Sequence, residues 1–198
     1  LNHVSIEHPW FIEAASSLNN PKRNYFLWSR FGKEFSGAYN PFSHLTEGNW
    51  VSNKKTGDYY FATFFKEQAD LNWDNPEVLT EITKVIDFWA RLGVDGFRLD
   101  AVRHLIKREG TSCLHLPETH QILKKFRQYL DARHPGVIFL AEAGGRLDET
   151  SKYFGDGDEC HLVFHFELMA RIYLAVKRSD FSVIRDVIKK SLNIPGNC

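Results

Sequence analysis

The chain has 198 residues, which is enough for one domain with a real core. Its 25 Lys+Arg balance its 25 Asp+Glu, and this argues against nucleic acid or an anionic membrane as a partner. No apolar run approaches the roughly 18 residues of a membrane span. No signal peptide is visible, but the chain opens inside a strand motif, so we draw no location from this absence.

The cysteine pattern points to free thiols. The three cysteines are an odd number without paired spacing, which disfavours a disulfide framework or a zinc site. They are Cys113, Cys160 and Cys198. We therefore expect reduced thiols, as in the cytosol, and so a cytoplasmic protein.

The first third of the chain has weak periodicity. Residues 1–3 read as the stub of an apolar strand, and residues 59–65 as a further strand. The stretch from 8 to about 66 is rich in Asn, Gly, Ser and aromatic residues. So long an irregular excursion inside a compact domain is usually functional.

The middle of the chain alternates helix and strand. Asn75-Pro76 predicts a helix start, and Gly93 predicts the left-handed residue that ends that helix. A strand over 94–100, a helix opened by Pro117 and a strand over 137–142 follow. The predicted buried stripes are Val78, Ile82, Val85, Ile86, Trp89 and Leu92 in the first helix, and Ile122, Leu123, Phe126, Tyr129 and Leu130 in the second. Strand, helix and strand in this order predict a parallel βαβ unit in an α/β fold.

The last part predicts one more strand and two more helices. Residues 161–166 alternate as a strand, and Met169, Ile172, Tyr173 and Val176 continue at helical spacing. Asp180 is placed to cap another helix, and residues 193–198 read as a turn.

Two predicted strands end in acidic residues. On the first, Arg98 and Asp100 share one face, and an Arg beside a carboxylate keeps that carboxylate ionised. An ionised, positioned carboxylate is what a covalent sugar-transfer nucleophile must be. The alternative is an Arg–Asp pair that only fixes the strand end. The second strand ends in Glu142, which is costly to bury without a partner and whose desolvation would favour the protonated form of a general acid.

The motifs around these residues resemble those of the alpha-amylase family of glycoside hydrolases and transglycosylases, and within it the trehalose synthases. Several motifs in the right order cover nearly the whole chain. The family motifs are LNH at 1–3, QADLN at 68–72, GFRLDAVRH at 96–104 and FLAEA at 139–143; those of the trehalose synthases are REGTSC at 108–113, LPETH at 116–120, and FGDGDECH at 154–161 running on to FHF at 164–166.

The resemblance implies a partial (β/α)8 TIM barrel, about strands three to six, filling residues 1–198. A small inserted domain at about 8–68 would wall one side of the cleft. The family's fourth signature, a strand ending His-Asp that carries a third carboxylate, would be expected soon after residue 198. We therefore expect a fragment that folds poorly and is inactive alone.

The resemblance also implies a retaining mechanism on maltose or other α-glucosides. Asp100 would be the nucleophile and Glu142 the acid and base, with Arg98 positioning Asp100 and His3 bonding the sugar. Intramolecular glucosyl transfer would convert maltose to trehalose without an organic cofactor. The alternatives are a hydrolytic α-glucosidase or amylase, and a non-catalytic chain that uses the scaffold for binding.

Two departures from the trehalose synthase pattern bear on this reading. Arg103 and His104 stand where those enzymes usually carry Pro-Tyr, and a basic residue followed by His is closer to amylases, where the pair contacts the leaving sugar. Asn2 and Asp70 match positions that bind calcium in the family. Lys107 stands where an acidic calcium ligand is expected, and a lysine there would repel the ion.

Overall fold

The computed structural model describes residues 1–192 and 194. The turn predicted at 193–198 lies outside the described residues except for Ile194, and so does Cys198. The strands are β1 His3–Ser5, β2 Trp28–Ser29, β3 Trp50–Asn53, β4 Asp58–Phe61, β5 Gln68–Asp70, β6 Gly96–Leu99, β7 Ile138–Ala141 and β8 Leu162–Val163. The α-helices are α1 Pro9–Ser16, α2 Pro76–Arg91, α3 Pro117–Arg133, α4 Leu147–Thr150, α5 Phe166–Arg178 and α6 Ser182–Ser191.

The chain divides into two compact units. The first holds residues 1–85 and 103–119, and the second holds 86–102 together with the chain from 120 onward. Within the described residues, no helix combines the length and the apolar character needed to cross a bilayer.

The first unit is built on two small antiparallel sheets. One has the strand order β2-β4-β3, and the other pairs β1 with β5, His3 facing Asp70. Its core is largely aromatic: the ring of Phe11 lies 5.1 Å from that of Phe26 and 4.8 Å from that of Tyr60. The predicted strand at 59–65 is present in shorter form, since the backbone leaves the sheet after Phe61.

The start of the chain differs from the prediction. The expected strand at residues 1–3 is replaced by β1, which begins at His3 and runs antiparallel to β5. Sequence periodicity could not show this pairing, because each strand has only three residues.

The second unit contains a three-stranded parallel sheet in the order β6-β7-β8. Phe97 faces Phe139 and Leu99 faces Ala141 across β6 and β7, which confirms the predicted parallel pairing. Phe139 and Ala141 are buried, as is the predicted α3 stripe at Leu123 and Phe126. The α/β class is therefore confirmed.

Helix boundaries follow local signals closely. The Asn75 side chain accepts a hydrogen bond from the Glu77 N–H at 3.0 Å, which caps the start of α2. Gly93 has φ +91° just after that helix, as expected for a left-handed C-terminal residue. The Asp180 carboxylate accepts from the Ser182 N–H at 2.9 Å at the start of α6.

Two predictions from periodicity were wrong. The strand expected at 161–166 is only β8, because Phe166 already begins α5, with the His165 side chain accepting from the Leu168 N–H at 3.2 Å. The apolar stripes are also not uniformly buried. In the first predicted stripe, Val85, Trp89 and Leu92 are exposed, although the pattern predicts that they pack against a sheet. On α5, where the sequence predicts a helix and no burial, Met169, Ile172, Tyr173 and Val176 are exposed as well.

Candidate active site

Asp100 and Glu142 come together because two parallel strands end side by side. Leu99 of β6 pairs with Ala141 of β7, and each acid directly follows its strand. The Glu142 N–H donates to the Leu99 carbonyl at 3.0 Å, which extends the ladder by one residue. Parallel strands therefore bring both carboxylates to the carboxyl edge of the sheet, where open and closed α/β folds place their ligands.

Arg98 joins the two acids. Its Nη2 lies 3.0 Å from Asp100 Oδ1 and 2.6 Å from Glu142 Oε2. These contacts raise the pKa of the Arg98 guanidinium, and its hydrogen bond to Glu142 is the largest cause. One guanidinium nitrogen thus holds both carboxylates in charge-assisted hydrogen bonds.

Glu142 is less isolated than the sequence suggested. The sequence predicts a desolvated acid at the strand end, costly to bury unless it has a partner; the side chain is instead 29% exposed, and Arg98 is its partner. The Asp100 side chain is 34% exposed. Both acids are therefore open to solvent and to a ligand, and the earlier expectation of a desolvated Glu142 was wrong.

The backbone turns sharply after Asp100. Ala101 has φ +51°, a left-handed conformation that non-glycine residues rarely adopt, and its N–H lies 3.4 Å from Glu142 Oε2. Backbone strain of this kind is concentrated at ligand and active sites. No pattern in the sequence predicts this left-handed residue.

The other predicted site residues lie in the first unit. His3 Nε2 is 2.9 Å from the side-chain nitrogen of Gln68, and its ring meets Phe64 edge-on at 5.2 Å. The Arg103 Nε–H donates to His104 Nε2 at 3.2 Å. The Tyr39 ring, which the sequence did not single out, lies roughly parallel to that of His104 at 6.3 Å.

His104 is buried and held neutral. Only 4% of the residue is exposed. Burial, as the largest cause, and the positive charges of Lys107 and Arg103 together lower the pKa of its imidazole to about 3. His104 can therefore accept or donate hydrogen bonds as a neutral ring, but it does not carry a positive charge near neutral pH.

Asn2 and Asp70, the predicted calcium positions, are also fully buried in the first unit. Both contact Lys107: its Nζ lies 2.8 Å from Asp70 Oδ2 and 3.2 Å from Asn2 Oδ1. The sequence identified Lys107 as a departure from the family pattern but not as the partner of these two residues. Among the described residues, no cluster of three or more His, Cys, Asp or Glu could hold a metal ion.

Comparison with known proteins gives concordant results. The chain is 45% identical to the trehalose synthase of Thermus thermophilus over 98% of its own length and 20% of that protein. It is 43% identical to the trehalose synthase/amylase of Mycobacterium tuberculosis over 98% of the chain and 33% of that protein. The crystal structure of isomaltulose synthase from Klebsiella superposes with a TM-score of 0.73 at 31% identity, covering 86% of this chain and 33% of that one.

The chain thus spans a third or less of these relatives. Residues 1–194 also match the family model described as the alpha amylase catalytic domain. The chain therefore belongs to the alpha-amylase family and forms part of an alpha-amylase catalytic domain.

Proposed function

We propose that this chain supplies two catalytic carboxylates of a retaining α-glucoside-processing enzyme with trehalose-synthase-like activity. The observation that carries this is the shared contact of Asp100 and Glu142 with Arg98. The contacts with Nη2, at 3.0 and 2.6 Å, bring one oxygen of each carboxylate close together, whereas the carboxyl groups of inverting enzymes lie roughly 6.5–9.5 Å apart. These contacts are compatible with the separation of about 5–5.5 Å in retaining ones.

In this mechanism Asp100 attacks the anomeric carbon of the non-reducing glucose of maltose. The glycosidic bond breaks, its electron pair stays on the leaving oxygen, and Glu142 gives that oxygen a proton. A glucosyl ester on Asp100 results. Glu142, now ionised, takes the proton from the incoming anomeric hydroxyl of the retained glucose, and trehalose forms.

Arg98 has a positioning role in this scheme. It fixes the Asp100 carboxylate for attack and offsets the negative charge that two adjacent acids would bring together. His3, Arg103 and His104 are proposed to bind the sugar, with His104 acting as a neutral hydrogen-bonding ring.

We also propose that residues 1–198 are about strands three to six of a (β/α)8 barrel, with an inserted domain at about 8–68. The strand order β6-β7-β8 supports the barrel assignment, and two buried free thiols, Cys113 and Cys160, support a cytoplasmic location.

Hydrolysis of α-glucosides is the second candidate. Water in place of the retained glucose would yield glucose alone. The Arg103-His104 pair favours this outcome, since it departs from the Pro-Tyr that we expect in trehalose synthases. The Mycobacterium tuberculosis relative bears both names, trehalose synthase and amylase.

The test uses the whole protein expressed from the gene, with maltose as substrate. Chromatographic separation of the sugars distinguishes trehalose from glucose, and so isomerase from hydrolase. The enzyme is also incubated with a 5-fluoro-glucosyl fluoride. The resulting 5-fluoro-glucosyl ester should accumulate on the peptide that contains Asp100, where mass spectrometry detects it. A label on another residue would refute the assignment of Asp100 as the nucleophile. So would the absence of any label in a protein that still turns over maltose.

Two variants separate catalysis from folding. Asp100→Asn should abolish turnover, because an amide cannot form the ester. Asp95→Asn is the matched control, because Asp95 is exposed and lies at the other end of the same strand. Its backbone carbonyl accepts a hydrogen bond from the Ile138 N–H, and the substitution leaves that carbonyl in place. A binding chain without catalysis would show no turnover of maltose in either the wild type or these variants.

A further inference from the structure

The Lys107 ammonium group is surrounded by oxygen atoms. Its side chain is 2% exposed, and the partner Asp70 is 0% exposed. The Nζ contacts Asp70 Oδ2 at 2.8 Å, Asn2 Oδ1 at 3.2 Å and the backbone carbonyl of His104. An ammonium has three hydrogens to donate, so a carboxylate, an amide and a carbonyl oxygen satisfy it fully.

These three oxygens come from separate stretches of the first unit. Asn2 directly precedes β1, Asp70 ends β5, and His104 lies in the short 3-10 turn after β6. The Asn2 carbonyl also accepts from the Leu71 N–H at 2.9 Å. A single buried cation therefore ties the turn that carries Arg103 and His104 to the β1–β5 pair.

The oxygen set resembles what a hard metal ion would use, but a calcium ion does not fit it. Calcium takes six to eight oxygen ligands at roughly 2.3–2.6 Å. Here the position between the oxygens is taken by a positive nitrogen, which repels a second cation. The Asp70 carboxylate is further engaged by Thr63, whose N–H donates at 2.9 Å and whose hydroxyl donates at 2.5 Å.

We propose that Lys107 is a built-in replacement for a metal ion, so that this part of the fold is held together without calcium. The ammonium neutralises the buried Asp70 and supplies the directed contacts that a divalent cation would otherwise make. An acidic side chain at this position would reverse the arrangement. It would add a further oxygen ligand, remove the cation, and leave a site whose stability depends on added calcium.

The first measurement is made on the whole wild-type protein. After dialysis against calcium on the order of 1 mM, well above the Kd of typical sensor sites, bound calcium is measured by elemental analysis. We expect the wild type and the Asp70→Asn variant to hold the same amount. The melting temperature of the wild type should be the same in calcium and in EDTA. Calcium that is present in the wild type and lost in Asp70→Asn would overturn the proposal.

The second measurement uses Lys107→Glu. We expect this variant to melt below the wild type in EDTA, and calcium to raise its melting temperature by about 3 °C or more, because a ligand that binds only the folded state stabilises it. Lys84→Glu makes the same charge change on the exposed surface of α2 and should not respond to calcium. A Lys107→Glu protein that is as stable as the wild type and does not respond to calcium would refute the proposal.

If the variant does not fold, the comparison of wild type with Asp70→Asn still decides. Neither readout depends on enzymatic activity, so failure here is distinct from failure of the proposed function.

Discussion

The neutral, buried His104 makes a quantitative prediction about acid stability. Its pKa is lowered to about 3 in the folded chain, first by burial and then by Lys107 and Arg103, while an unfolded chain keeps the ordinary value of 6.5. Between these two values the unfolded state binds a proton that the folded state does not. Stability from this group is therefore complete above the unfolded value and is lost as pH falls toward the folded one.

The size of the effect follows from the shift. Each pH unit below the unfolded value costs about 1.4 kcal/mol of unfolding free energy, so the loss between about pH 6.5 and about pH 4 is about 3 kcal/mol. His104→Asn removes the titrating group and keeps a neutral polar side chain. The substitution also changes the free energy of unfolding by an amount that does not depend on pH. That amount cancels, because the assay uses only how the stability difference between wild type and variant changes with pH.

The assay is urea unfolding followed by tryptophan fluorescence, at about pH 7 and about pH 4. The wild type should lose about 3 kcal/mol more stability than His104→Asn over this range. His44→Asn, a change at an exposed histidine, should follow the wild type. Parallel losses in the wild type and His104→Asn would show that the ring is not held neutral, and would refute the reasoning.

Three further predictions concern the second unit. Arg98→Gln should lower maltose turnover by about 100-fold or more, because the change leaves Asp100 and Glu142 without their shared cation; near-normal kcat/KM would contradict the positioning role. Phe139→Ala should cost about 3–5 kcal/mol in urea unfolding, because the ring is 1% exposed, and a loss below about 1 kcal/mol would mean that the site is not packed as described. The Cys160 thiol, whose pKa burial raises to about 12, should resist a thiol reagent at about pH 8 until the protein is unfolded; fast modification of the native protein would show that it is accessible.

The proximity of Asp100 and Glu142 was predictable from sequence because it depends on strand period and parallel pairing alone. A residue that directly follows a strand reaches the carboxyl edge of the sheet whatever else the fold contains. This is why Asp100 and Glu142 could be placed together, and Arg98 beside Asp100. The second contact of Arg98, to Glu142, was not predictable, since it depends on the rotamer of a long side chain.

The predictions that failed concern features that local sequence patterns do not determine. Amphipathic spacing identifies the apolar side of a helix, but it does not say whether another segment covers that side, as Trp89 on α2 and Tyr173 on α5 show. Short strands such as β1 and β5 carry too few residues for a period. The Lys107 cluster escaped prediction because its members are distant in the sequence, and only the fold brings a lysine to Asn2 and Asp70.

In the proposed mechanism, the Arg98 nitrogen that contacts both acids has a consequence for the order of the two chemical steps. While both carboxylates are charged, they compete for one cation. When Asp100 becomes an ester it can no longer claim that charge, and Arg98 is left to Glu142 alone. The first half of the proposed reaction would thereby leave the guanidinium paired with the acid that acts in the second half. In that scheme the two acids are coupled through the charge of Arg98, which contacts both of them.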